Sequence, residues 1–188
     1  ILFDVDNTLI YGDAARKFYG QYSIQLEMTL AKYLGIDLSE AKTIANSFRK
    51  QFDGRGEKSF DSLNIGIDVW YEEIFSINPE KYLEPMNKTN DLLVGLKQRG
   101  FMLGAITDGP TEQSRRIMKA AGVKYGMLDF IIGWEKGKAM PKNGSGNIFR
   151  EMCAKYDLEP GQILMIGDCM QADILPADEV GLETIFIR

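Results

Sequence analysis

Four aspartates close three apolar runs of the sequence, and they are the residues best suited to chemistry. Asp4 and Asp6 end the run ILFDVD, Asp108 ends MLGAITD, and Asp168 ends ILMIGD. If these runs are parallel strands of one sheet, their carboxyl ends meet at one edge, where open α/β sheets bind ligands. Asp4 and Asp6, two residues apart on an extended chain, face the same side of it. The spacing therefore predicts one carboxylate cluster, assembled from distant parts of the chain.

Carboxylates gathered in this way repel one another unless they share a cation. Their hard oxygen ligands suit a hard ion, and a site with few of them, which leaves room for water and phosphate, suits Mg²⁺. The sequence therefore predicts a magnesium ion as the cofactor at this edge of the sheet.

The composition excludes several other chemistries. The 188 residues include no histidine, which removes Ser-His-Asp and Cys-His catalysis and histidine-ligated zinc. Two cysteines, Cys153 and Cys169, are too few for a disulfide framework, so we expect a reducing, cytoplasmic setting. The net charge of −5 argues against nucleic acid as a partner. Since no apolar run approaches the roughly 18 residues of a membrane span, we expect no membrane partner either.

The elements that must position these residues fall into two groups. Residues 11–86 have helical patterns, such as LSEAKTIANSFRKQF with Ser39 as its N-cap, and a polar loop, DGRGEKS, between helices. From residue 87 onward, helical segments alternate with short apolar runs that are typical of strands. This alternation indicates a mostly parallel sheet covered by helices on both faces. We therefore predict an α/β core from residues 1–10 and 87–188, with a helical insertion at 11–86.

Three motifs occur in the order found in one enzyme superfamily. DVDNTL (4–9) resembles its first motif, DxDxT, and ITDG (106–109) resembles the second, a strand ending in Ser or Thr. GDCMQAD (167–173) is similar to the closing motif, GDxxxxD. The chain thus resembles the haloacid dehalogenase superfamily of hydrolases. The resemblance implies a Rossmann-like three-layer α/β/α core, with the insertion at 11–86 as a small α-helical cap domain.

The resemblance also implies roles for the residues at the matching positions. Asp4 would be the nucleophile and would form an aspartyl-phosphate, while Asp6 would serve as general acid and then as general base. Mg²⁺ would be held by Asp4, the backbone carbonyl of Asp6, and Asp168. Asp173 would support the site by orienting a lysine or a metal-bound water. The phosphate would be bound by Thr107 and by the backbone N–H groups of Asp108 and Gly109.

The family also has a lysine before its last motif, often followed by proline. The stretch KGKAMPKNGSG offers Lys136, Lys138 and Lys142, and none of them is followed by proline. Lys142 has the spacing to Asp168 that fits best, and a helical pattern follows it. We therefore predict Lys142 as the lysine that contacts the reacting phosphate, with the other two as alternatives.

The second carboxylate of the first motif favours phosphate chemistry, since dehalogenases of the superfamily lack it. We predict an enzyme, a magnesium-dependent phosphatase acting on a small phosphorylated metabolite or nucleotide, as a monomer or homodimer. The alternatives are a phosphomutase, a nucleotide-specific enzyme, since DVDNTLIYGD also resembles pyrimidine 5′-nucleotidases, and a non-catalytic ligand-binding or regulatory protein. Aromatic residues at helical spacing are more often core residues than ligand contacts. With that reservation, the candidates for a substrate pocket in and beside the insertion are Tyr11, Phe18, Tyr19, Arg55, Lys58, Trp70 and Tyr71.

Overall fold

The structure, a computed structural model, describes residues 1–52, 56–142 and 146–187. The chain forms two compact units, one of residues 1–15 together with the chain from residue 83 onward, the other of residues 16–82. The first unit is a parallel sheet with helices and the second is helical, which confirms the predicted α/β class. Among the described residues, no helix combines the length and the hydropathy needed to cross a bilayer. The role of residues 11–86 as a cap domain stays a prediction.

The described part of the chain contains five strands and eight α-helices, joined by loops and short turns of other helix types. The strands are β1 (Leu2–Phe3), β2 (Gly104–Pro110), β3 (Phe130–Trp134), β4 (Leu164–Gly167) and β5 (Glu183–Phe186). The helices are α1 (Gly12–Leu34), α2 (Leu38–Gln51), α3 (Gly56–Ser62), α4 (Ile67–Phe75), α5 (Asn87–Gln98), α6 (Thr111–Ala120), α7 (Asn147–Tyr156) and α8 (Leu175–Val180).

All five strands are parallel, in the order β3-β2-β1-β4-β5. The short strand β1 lies at the centre, with Phe3 opposite Ala105 on one side and Ile166 on the other. The chain proceeds from β1 through β2 to β3 in one direction, and then returns to place β4 on the other side of β1. The direction of winding thus reverses between β1 and β4, and ligands of open α/β sheets bind at such a point.

A buried apolar cluster joins the sheet to α7. Phe149 of α7 is fully buried, and Ile148 and Met152 on the same helix belong to the same cluster. Their spacing of one and three residues places all three on one face of the helix. Burial of each such side chain contributes roughly 1.5–3 kcal/mol, and this packing fixes the start of α7. The other buried members of the cluster are Leu2, Ile106, Ile163, Met165, Ala177 and Leu182.

The helical unit has an aromatic core. The ring centroids of Phe18 and Tyr22 lie 5.2 Å apart, and those of Tyr22 and Trp70 lie 6.1 Å apart, both edge to face. Phe18, Trp70 and Tyr71 are buried. These three are therefore core residues, in agreement with the more common role of aromatic residues at helical spacing. Tyr11 is 39% exposed.

Two local predictions in the helical unit need correction or restriction. The N-cap of α2 is Asp37 and not Ser39, because Asp37 has an extended backbone and its Oδ1 accepts a hydrogen bond from Glu40 N at 2.9 Å. Ser39 lies inside the first turn. Of the predicted loop DGRGEKS, residues 53–55, including the pocket candidate Arg55, lie outside the described residues. The remainder is helical, since α3 begins at Gly56.

Candidate active site

Asp4 follows β1 directly and lies at the carboxyl end of the sheet. Its backbone N–H donates to Ile166 O at 2.9 Å, which continues the pairing of β1 with β4 by one residue. The residue is only 4% exposed although its side chain is a carboxylate. A buried carboxylate needs a partner, because an unpaired charge in a protein interior is costly.

That partner is Lys142. Its side chain is also buried, and its Nζ donates to Asp4 Oδ1 and, at 2.6 Å, to Asp173 Oδ1. The other two candidate lysines are exposed, and Lys138 pairs with Glu135 at 2.6 Å on the surface. Of the three lysines considered from the sequence, the structure thus brings Lys142 to Asp4.

Asp173 is fully buried and holds Lys142 from the other side. Its Oδ2 accepts a hydrogen bond from Cys169 N at 3.0 Å, so both of its oxygens are engaged. The residue lies in a single π-helical turn, Met170–Ile174, a feature that is frequent at functional sites. Gly167 makes room for the carboxylate, because a Cβ at that position would lie 2.2 Å from Asp173 Oδ2.

Three carboxylates lie close enough together to share one metal ion. Asp4, Asp168 and Asp173 each offer an oxygen within 4.8 Å of the others. Asp168 follows β4 and is half-buried, and the side chain of Asn7 donates a hydrogen bond to it. Asp6 is not a member of this group, although its charge acts on both Asp4 and Asp168.

The electrostatics of the group favour a bound cation. Burial raises the pKa of Asp4 well above its ordinary value, and the neighbouring charges of Asp173 and Asp6 raise it further. Burial and the same two carboxylates also raise the pKa of Asp168. Burial alone would lower the pKa of Lys142, but attraction by Asp4 and Asp173 outweighs it, so the lysine stays charged. A divalent, oxygen-preferring ion would stabilise the remaining negative charge, so these donors fit Mg²⁺.

The end of β2 forms a bulged turn beside this cluster. Ile106 pairs with Ile132 and Pro110 with Trp134, so the three residues 107–109 lie opposite the single residue Gly133. Bulges of this kind commonly re-aim side chains next to active sites.

Thr107, within the bulge, is 1% exposed, and its Oγ1 accepts a hydrogen bond from Gly109 N at 3.0 Å. A Cβ on Gly109 would lie 3.8 Å from Asp6 Oδ2, which places Asp6 next to this turn. Gly133 has no room for a side chain, since a Cβ there would lie 2.6 Å from Gly109 O.

The structure brings together all the residues singled out in the three motifs and adds contacts that the sequence reasoning missed. Asp108 was predicted as a member of the carboxylate cluster and as a backbone donor to phosphate, yet its Oδ1 accepts a hydrogen bond from the backbone N of Lys142 at 2.7 Å. Gly133 belongs to no motif, and its part in the turn depends on the pairing of β2 with β3. The Gly-Asp pair of the last motif indicates that Gly167 matters, but it does not predict that Gly167 lies against Asp173.

The fold and this cluster define a hydrolase of a known class. Residues 1–181 match the family model described as haloacid dehalogenase-like hydrolase, and the chain belongs to that family. The predicted family and the predicted enzyme class, a phosphatase of this superfamily, are confirmed by this match together with the named relatives.

The named relatives most similar to the chain include two archaeal phosphatases. The glyceraldehyde 3-phosphate phosphatase of Pyrococcus furiosus is 25% identical, over all of this chain and 80% of its own length. The enzyme of the same name from Methanocaldococcus jannaschii is 28% identical, over all of this chain and 83% of its own length. The haloacid dehalogenase-like protein SP0104 from Streptococcus pneumoniae shares the fold, with a TM-score of 0.66 at 21% identity, over all of this chain and 83% of that one.

The contact between Gly167 and Asp173 leads to a first prediction. Gly167→Ala should lower the kcat for p-nitrophenyl phosphate at least tenfold, because the new Cβ displaces Asp173 and thereby Lys142. Gly161→Ala is the matched control, since a Cβ there meets no atom within 4 Å. Both variants are compared with wild type by steady-state kinetics and circular dichroism. Equal turnover of two folded variants would contradict the prediction.

Proposed function

We propose that this protein hydrolyses a small phosphate monoester through an aspartyl-phosphate intermediate on Asp4. The observation that carries the proposal is the contact of Lys142 with both Asp4 and Asp173 in a buried site at the sheet's carboxyl end. A buried, positively charged lysine beside a carboxylate suits a reaction that gathers negative oxygens at that carboxylate.

In the first step, an oxygen of Asp4 forms a bond to phosphorus as the ester P–O bond breaks. The leaving oxygen takes a proton from Asp6, which supplies it as a general acid. In the second step, Asp6 removes a proton from a water molecule, the water oxygen bonds to phosphorus, and the bond to Asp4 breaks. Inorganic phosphate is released and both carboxylates return to their starting states. The position of Asp6 next to Gly109 supports this assignment, since that turn is the proposed phosphate site.

The proposed phosphate site is the bulged turn after β2. The hydroxyl of Thr107 and the N–H groups of Asp108 and Gly109 are the donors assigned to the phosphoryl oxygens. In the structure Gly109 N–H donates to Thr107 Oγ1, so binding would exchange that internal hydrogen bond for contacts with the ligand.

The magnesium ion is assigned to Asp4, Asp168 and the backbone carbonyl of Asp6. The closeness of Asp4 to Asp168 supports this set, and Asp173 is left to orient Lys142 because both of its oxygens already accept hydrogen bonds. When bound, Mg²⁺ neutralises charge on the phosphoryl oxygens and so favours transfer of the group.

The proposed substrate is a small phosphorylated metabolite of the size of glyceraldehyde 3-phosphate. Support comes from the relatives of that name, which match the whole of this chain. Residues 11–86 are proposed as the cap that selects the substrate, in a cytoplasmic enzyme. A nucleotide substrate is the alternative to a triose phosphate. A screen of phosphate monoesters, from trioses to nucleotides, separates these alternatives through the preferred ester and the release of inorganic phosphate.

The two carboxylates of the first motif should both be required. Asp4→Asn should abolish turnover, since an amide does not attack phosphorus as a carboxylate does. Asp6→Asn should lower kcat by about 100- to 10,000-fold, the usual range for loss of acid–base catalysis. Asp178→Asn, on an exposed position of α8, is the control and should keep wild-type rates. Near-wild-type turnover of purified Asp4→Asn would refute the mechanism.

Removal of the metal, or of its proposed ligand, should abolish or weaken activity. Excess EDTA should stop turnover, Mg²⁺ should restore it, and Ca²⁺ should inhibit, because Ca²⁺ is larger and less demanding in geometry. Asp168→Ala should weaken Mg²⁺ binding at least tenfold, as measured by titration calorimetry in the absence of substrate. Full activity in excess chelator, or unchanged Mg²⁺ affinity in Asp168→Ala, would overturn the assignment.

A further inference from the structure

We infer that Asp108 is a positioning residue, whose side chain fixes Lys142 at the site by holding the lysine's own backbone. Asp108 Oδ1 accepts a hydrogen bond from Lys142 N at 2.7 Å, between residues 34 positions apart in the chain. The inference rests on the proposed function, because it is the proposed function that gives Lys142 a part in phosphoryl transfer. It adds a role for the side chain of Asp108, separate from the phosphate contact assigned to its backbone N–H.

Lys142 needs a fixed backbone because its head group must meet two carboxylates at once. Nζ contacts Asp4 and lies 2.6 Å from Asp173, and both contacts depend on where the Cα of the lysine lies. The residue belongs to the connection between β3, which ends at Trp134, and α7, which begins at Asn147. A hydrogen bond to an ionised acceptor is about twice as strong as one between neutral groups. The Asp108 carboxylate is therefore a suitable anchor at this point of the connection.

The turn that carries Asp108 is itself well fixed. Residues 107–109 bulge out of β2 opposite Gly133, and Gly133 N donates to Thr111 Oγ1 at 3.1 Å. The backbones approach so closely that a Cβ on Gly133 would lie 2.6 Å from Gly109 O. The side chain of Asp108 thus extends from a tightly packed segment of the sheet, and it transmits that position to Lys142.

Asp108 would in this way help to position both the turn that binds the phosphate and the lysine that faces it. The backbone of Asp108 belongs to the turn assigned to phosphate binding, and its side chain holds the lysine that faces Asp4. Loss of the side chain leaves the backbone N–H groups of the turn in place but releases Lys142. The expected defect is therefore in kcat rather than in KM, and this distinguishes positioning from direct binding of substrate.

The first test compares Asp108→Ala with Asp108→Asn, using p-nitrophenyl phosphate at saturating Mg²⁺. Asp108→Ala should lower kcat about 10- to 100-fold, the scale expected when a catalytic group is misplaced by about 1 Å, with KM changed less than about threefold. Asp108→Asn keeps an oxygen acceptor and should stay within about threefold of wild-type kcat. Asp129→Ala is the matched control, because Asp129 Oδ2 also accepts a backbone hydrogen bond, from Leu103 N at 2.8 Å. Asp129 lies outside the site, so this variant should keep wild-type kcat. An Asn variant as slow as the Ala variant, or an Ala variant at wild-type rate, would overturn the inference.

The second test asks whether Asp108 acts through Lys142. Asp108→Ala, Lys142→Ala and the double variant form a double-mutant cycle, followed at raised enzyme concentration with circular dichroism as the folding check. If Asp108 acts through the lysine, its loss should slow Lys142→Ala less than about twofold. Equal 10- to 100-fold losses in both backgrounds would overturn the inference and leave the proposed function intact. Wild-type turnover of Lys142→Ala would contradict both.

Discussion

The buried ion pair that Lys142 forms with Asp4 and Asp173 is the interaction on which the rest of the site depends. Charges are stable in a protein interior only when they are paired, and removal of one partner of such a pair typically costs about 3–5 kcal/mol. The three side chains come from the end of β1, the connection before α7, and the π-helical turn after β4. Their pairing therefore ties together three segments that are far apart in the sequence.

The backbone around this ion pair is shaped to let it form. Gly167 leaves the space that the carboxylate of Asp173 occupies, and Gly133 lets the end of β3 approach the bulged turn of β2. In both cases the missing side chain serves a close approach between atoms and not a special backbone angle, since neither glycine has a positive φ. The central position of β1 then places Asp4 between the turn after β2 and the turn after β4.

The sequence was informative where a local pattern determines the outcome. An apolar run followed by aspartate is visible without any structure, so Asp4, Asp6 and Asp168 were predictable as neighbours once a parallel sheet was inferred. Lys142 followed from the family resemblance, since its spacing to Asp168 fits the lysine that the family has before its last motif.

The contacts of Asp108 and Gly133 were not predictable, because they depend on the register and the bulge between β2 and β3, which no short pattern encodes. The prediction of Ser39 as the cap of α2, where the structure has Asp37, failed for a related reason. Both are good N-caps, and only the backbone geometry decides between them.

The central claim is that Asp4 carries the phosphoryl group during turnover, and acid quenching tests it most directly. A substrate labelled with radioactive phosphorus is mixed with excess enzyme and Mg²⁺, the reaction is stopped in acid within one turnover, and the protein is digested for mass spectrometry. The account predicts label on the peptide that contains Asp4, lost on treatment with hydroxylamine and absent from Asp4→Asn. Single-turnover release of phosphate with no labelled protein at any time, or label on another residue, would contradict it.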